Sequence, residues 1–125
     1  MPHDLILLKT AEKEIEKLID KSKEVDDLLK IKFVALQNID ISEALKSRVV
    51  DTVKGISPKV LSRLKEKHYE PCIYEYRAFP KTHPYRILFI SKESAFIILM
   101  VIHHKEMQAK FNEFLSKRLY LILHE

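Results

Sequence analysis

Cys72–Phe79, CIYEYRAF, then Tyr85–Ile90, YRILFI, then Phe96–His103, FIILMVIH, are the stretches that decide the fold. Aromatic and β-branched residues crowd all three, and such side chains suit a pleated, half-buried backbone. Pro80–Pro84 breaks the first stretch from the second, and the polar turn Ser91–Ser94 breaks the second from the third. This pattern predicts a three-stranded antiparallel meander. The third run is apolar on both faces, which places it centrally in the sheet.

Helical periodicity surrounds the meander. Asp4–Lys9 reads as a short edge strand. Thr10 is a candidate N-cap for a helix whose apolar stripe is Ala11, Ile15, Leu18 and Ile19. Ser22 can cap a second stretch carrying Val25, Leu28, Leu29, Phe33 and Leu36, and the two can equally run as one long helix. A helix starting at Ser42, with Leu45, Val49 and Val53, is expected to stop at Gly55, the only glycine in the chain. Ser57-Pro58 is an N-cap followed by proline at N1, opening a helix with Val60, Leu61 and Leu64 on its apolar face. After the meander, Met107, Phe111, Phe114, Leu115 and Leu119 return to helical spacing. The expected architecture is α+β: N-terminal helices on one face of a small antiparallel sheet, with a C-terminal helix.

Composition narrows the setting. A chain of 125 residues, 46% apolar, fits one domain with a real core, and no internal repeat or linker divides residues 1–125. No apolar run approaches the roughly 18 residues of a membrane span, and the N-terminus lacks the pattern of a signal peptide. A single cysteine, Cys72, points to a reducing, cytoplasmic location. The net charge of +4 is mild. Its distribution says more: residues 1–70 carry 14 Lys+Arg against 13 Asp+Glu, whereas residues 71–125 carry 8 against 5. The second half is the one expected to face an anion.

Within that half, Ile73, Glu75, Arg77 and Phe79 share one strand face by alternation. Arg86 is a lone charge in an apolar run, and the third strand ends in His103-His104-Lys105. A hairpin loop centred on residues 81–82 puts Arg77 opposite Arg86. At an effective dielectric of about 20, two such charges repel by about 3 kcal/mol, and an anion between them would relieve that. Arginine offers phosphate a bidentate fork. The competing reading is an ordinary ladder in which Glu75 neutralises an arginine, or a one-residue slip that parts the two. His103 and His104 point to opposite faces, so one can serve as general acid or base, or both can be solvated strand-end residues. His83, in the hairpin loop, can reach a ligand or simply fill a turn. Tyr74, Tyr76 and Tyr85 can stack on bases or fill the core. No His-Glu-x-x-His, Cys-x-x-Cys or glycine-rich phosphate loop is present, so neither metal nor cofactor is expected.

Taken together, Tyr74-Glu75-Tyr76-Arg77, Tyr85-Arg86-Ile87-Leu88-Phe89 and Ala95–Val101 ending in Ile102-His103-His104-Lys105 resemble the RelE/ParE toxin superfamily, nearest its HigB-like branch. The resemblance is good over about residues 57–118 and moderate from Leu5 to Leu18. It implies a type II toxin that cleaves mRNA without metal, on the ribosome, through the RNA's own 2′-hydroxyl. Arg77 and Arg86 would then stabilise phosphorane charge, and His103 or His104 would move protons. Glu75 would be a base or a structural partner of the arginine. Lys81 and Lys105 would hold backbone phosphates, with His83 and Tyr85 also on the substrate. The implied partners are a cognate antitoxin, mRNA and the ribosome, with no membrane. Ser22–Ile56 is longer than in minimal members, leaving room for antitoxin binding, a homodimer contact, or neither. ParE-type members lack the nuclease set and inhibit DNA gyrase, which is the main alternative. A basic RNA-binding module without toxicity is the third.

Overall fold

Phe96–Ile102 are buried without interruption, so this strand needs neighbours on both edges and cover on both faces. The computed structural model, which describes residues 2–106 and 111–124, supplies them. Among the described residues the strands are β1 (Asp4–Leu7), β2 (Val50–Thr52), β3 (Tyr74–Tyr76), β4 (Tyr85–Lys92) and β5 (Ala95–His103), in the order β1-β5-β4-β3-β2. β3, β4 and β5 form the expected antiparallel meander. Edge strand β1 joins β5 in parallel, and β2 extends the opposite edge against β3. The α+β class holds, but the sheet is five-stranded and mixed rather than a three-stranded antiparallel one.

The helices are α1 (Lys9–Lys21), α2 (Lys23–Gln37), α3 (Ile41–Ser47), α4 (Pro58–Glu66) and α5 (Phe111–Leu123). They cover both faces, not one. Ile87 and Phe89 of β4 pack with Ala11, Leu29, Leu36 and Ala44 from α1, α2 and α3. Leu88 and Ile90 point the other way, to Leu64 of α4 and to Leu115, Leu119 and Ile122 of α5. With every residue from Ile87 to Ser91 buried, β4 has no polar face to leave in water. Met107 and the side chains of Phe111 and Phe114 lie outside the described residues. No helix among the described residues is long and apolar enough to cross a membrane.

Local signals explain most boundaries. Ser22 accepts a hydrogen bond from the Val25 N–H and splits α1 from α2, so the two are not one helix. Ser57 caps α4 with Pro58 at its first turn, as expected. Thr10 does not cap α1: Leu8 holds the N-cap position, and the Thr10 hydroxyl is buried without a partner. The segment after Ser42 departs furthest. Its helix is capped by Asp40 and ends at Ser47, with Arg48 in the left-handed region at φ 65°. Val49-Val50-Asp51-Thr52-Val53 is β-branched at four of five positions, and it takes the strand β2 once β3 offers an edge. Gly55 is therefore no helix cap. Its φ of 82° turns the connection into α4, and a Cβ there would meet nothing within 4 Å, so backbone conformation alone favours glycine.

One ion pair closes the sheet. β1 accompanies β5 only as far as Ile98. Leu88 faces Met100 and Phe89 faces Ile98, which leaves Leu99 as a bulge. The Arg118 guanidinium donates to the Leu99 carbonyl at 2.8 Å and makes a bidentate pair with Glu14, one arm at 2.6 Å. The Glu14 carboxylate also accepts from the Val101 N–H at 3.4 Å. Glu14 lies on α1 and Arg118 on α5, so the pair reaches around the open edge from helices on opposite faces. The Arg118 side chain is 11% exposed and that of Glu14 30%. Glu14→Ala should therefore lower the unfolding free energy by about 3 kcal/mol, because a buried guanidinium loses its counter-charge. Arg118→Met should cost less, since the freed carboxylate can rehydrate. Urea denaturation of the two variants measures the difference, and equal losses would contradict it.

Candidate functional site

Antiparallel pairing gathers the sequence's chemistry at one end of the sheet. β3 ends there at Tyr76, β4 begins at Tyr85 and β5 ends at His103. Glu75, Arg77, Lys81, His83, Tyr85, Arg86, His103, His104 and Lys105 thus converge from three strand ends and two connections. Tyr74, Glu75 and Tyr76 pair with Phe89, Leu88 and Ile87. One step further along this register, Arg77 stands opposite Arg86, as the hairpin geometry predicts.

The arginines are not left facing each other unneutralised. Arg86 donates from Nε to Glu75 at 2.9 Å, and its Nη1 reaches the carbonyls of Tyr85 at 3.3 Å and Arg77 at 3.5 Å. The Arg86 and Glu75 side chains are only 14% and 16% exposed. Arg77 turns instead to Asp51 on β2, at 3.2 Å, where the two side chains are 37% and 40% exposed. Glu75 therefore neutralises the arginine across the hairpin, not its neighbour on the same strand. Asp51 was missed because its segment reads as helix; the β-branched run around it was the available signal.

Alternation divides the remaining groups. Tyr85 pairs with His103, on the face of Ile87 and Val101 that α1, α2 and α3 cover. Arg86 pairs with Ile102, on the opposite face with Leu88 and Met100. His103 and Arg86 thus project to different sides of the sheet end. His104 extends the ladder by donating its N–H to the Pro84 carbonyl at 2.8 Å. By alternation it belongs to the arginine side, where its ring is exposed.

Each histidine has a distinct environment. The His103 ring meets Tyr85 edge-on at 5.5 Å, and its Nδ1 accepts from the Lys105 N–H at 3.2 Å. A neutral His103 then carries its proton on Nε2, so it offers a donor rather than a base. His83 sits 3.1 Å from Glu24 of α2, another partner the sequence did not single out. Lys81, in the hairpin loop, and Lys105, after β5, are exposed. Tyr74 and Tyr76 are buried in the core, so Tyr85 is the tyrosine of the three left half-buried near the site. Cys72 is no activated nucleophile. Burial pushes its thiol up, only partly offset by a hydrogen bond with Tyr74, and the Glu70 charge pushes it further. Among the described residues, no group of three His, Cys, Asp or Glu is placed to hold a metal ion.

Comparison of the chain with known protein families, with curated proteins and with solved structures finds no match.

The two arginines separate in a stability measurement. Arg86→Ala leaves Glu75 poorly hydrated and unpaired, and should lower the unfolding free energy by about 2 kcal/mol, below the cost of breaking a fully buried pair. Arg77→Ala removes a solvent-accessible pair and should change it by under about 1 kcal/mol. Thermal midpoints of both variants test the ordering, and an unchanged midpoint for Arg86→Ala would return that residue to the set of free phosphate ligands.

Proposed function

We propose that this chain is a RelE/ParE-type toxin that cleaves mRNA, on the ribosome and without metal, at the end of the sheet formed by β3, β4 and β5. The observation that carries the reading is the convergence there of two arginines, three histidines and two exposed lysines, in the strand order on which the resemblance rests. RNA laid across this end meets both faces of the sheet. Lys81 and Lys105 hold flanking phosphates. Arg77 exchanges the half-exposed Asp51 for the scissile phosphate, whose oxygens its fork fits. His104, exposed and on the arginine side, takes the proton from the 2′-hydroxyl as the 2′-oxygen attacks phosphorus. The bond to the 5′-oxygen breaks, water protonates that oxygen, and a 2′,3′-cyclic phosphate remains. His103 donates from Nε2 to a phosphate oxygen, held in that tautomer by the Lys105 N–H and in place by Tyr85. Arg86 and Glu75 are positioning residues: their pair fixes the strand ends from which Arg77 and His104 project. A cell carrying such an enzyme needs a small antitoxin to cover this end.

A non-cleaving RNA-binding module is the second reading. It is favoured by one feature, that both arginines already have carboxylate partners. The two readings part on product. Translated mRNA incubated with the protein in EDTA should yield fragments ending in a 2′,3′-cyclic phosphate or 3′-phosphate and beginning with a 5′-hydroxyl. His104→Ala and Arg77→Ala should each slow single-turnover cleavage about 10²-fold or more at unchanged midpoint. Arg86→Ala should lose stability and slow cleavage per folded molecule less than Arg77→Ala does. RNA bound and left intact establishes the second reading, and stalled gyrase–DNA complexes with intact mRNA point to the ParE-type alternative.

A further inference from the structure

Where the connection after β2 enters α4, a cleft of about 430 Å³ opens between α4 and α5. This is within the usual range for small-molecule sites. Among the described residues, Ile56, Val60, Leu115, Leu119 and Leu123 form its aliphatic lining. Its charged lining is of one sign. Lys59 and Arg63, one turn apart on α4, are the ionic groups, and among the described residues no carboxylate contributes to the wall. Among the described residues, the side-chain partner of the Arg63 guanidinium is the His124 ring, at 3.2 Å. Among the described residues no carboxylate pairs with Arg63 or Lys59. A guanidinium held against an imidazole, with no described carboxylate beside it, has its fork open to an anion. Tyr120, 61% exposed, stacks on His124 with ring centroids 4.0 Å apart and extends the apolar wall outward.

We propose that this cleft binds an aliphatic carboxylate, with its chain between α4 and α5 and its head on Arg63 and Lys59. The charge complementarity is specific: an apolar body alone would fill the cleft but leave Arg63 without a counter-ion, and a strongly polar anion would waste the aliphatic wall. Loading would stabilise α5 against α4, which Lys67 already joins by donating to the Ile122 carbonyl at 3.1 Å. The proposal is independent of the catalytic reading, since none of its residues belongs to the candidate site at the ends of β3, β4 and β5.

Isothermal titration of the full chain with decanoate tests it. One equivalent should bind saturably, and decanol, with the same chain and no charge, should bind at least about tenfold more weakly, as expected for loss of a charge-assisted hydrogen bond. Arg63→Gln should weaken decanoate by a similar factor while leaving decanol unchanged. Lys59→Gln, at an exposed position, gives a second variant if Arg63→Gln lowers the unliganded thermal midpoint. Absence of saturable binding overturns the proposal. So does decanol binding as tightly as decanoate, full affinity in both variants, or adenosine monophosphate saturating the cleft in place of decanoate.

Discussion

A strand buried on both faces must have both of its hydrogen-bonding edges satisfied inside the protein, and β5 imposes that demand on everything around it. Its inner edge is met by the long hairpin with β4. Its outer edge is met by β1 as far as Ile98, and then by a carboxylate and a guanidinium in place of a further strand. Leaving Leu99 and Val101 unpaired in an apolar setting would cost on the order of 1–3 kcal/mol for each group. Because Glu14 and Arg118 come from helices on opposite faces, the same pair that satisfies the edge also ties α1 to α5. The candidate site inherits its rigidity from this arrangement, since His103 is the last residue of the strand so secured.

The meander was legible because its signals are local and repeated: alternating aromatic and β-branched residues, a proline-bounded break, and a short polar turn in which Glu93 accepts a left-handed φ of 53°. Ser22 and Ser57-Pro58 were legible for the same reason, since a cap acts within three residues of itself. What stayed hidden depends on partners distant in the chain. Val49–Val53 carries helical spacing at Val49 and Val53 and strand propensity throughout. Only the free edge of β3 decides between them. The cover on the second face was hidden likewise: the alternation of Ile87, Leu88, Phe89 and Ile90 reads as uniformly apolar, and only a sheet covered twice can bury it.

The candidate site shows the same division. Which residues gather at the sheet end follows from strand order alone. How each is held does not, because Asp51 and Glu24 are 26 and 59 positions away from the Arg77 and His83 they pair with. Opposed like charges were a sound reason to expect an anion between Arg77 and Arg86, but the chain supplies its own. The face on which each group lies also depends on where the ladder stops. His103 and His104, adjacent in sequence, end on opposite sides, and a hydrogen bond from the next turn commits the first of them to donating from Nε2.

Burial sets what each arginine can do next. The attraction between unit charges 4 Å apart is about 4 kcal/mol at an effective dielectric of 20 and about 1 kcal/mol in bulk water. Arg86 and Glu75, both under one-fifth exposed, sit near the first limit, and Arg86 is held by two backbone carbonyls as well. An incoming phosphate would have to displace a carboxylate that has nowhere to rehydrate. Arg77 and Asp51, each more than one-third exposed, sit near the second, where a freed carboxylate recovers most of its hydration and a dianionic or backbone phosphate competes on nearly even terms. Two arginines that look equivalent as letters on facing strands are therefore divided by solvent: one keeps the sheet end in register, and the other can let go of its partner and take a ligand.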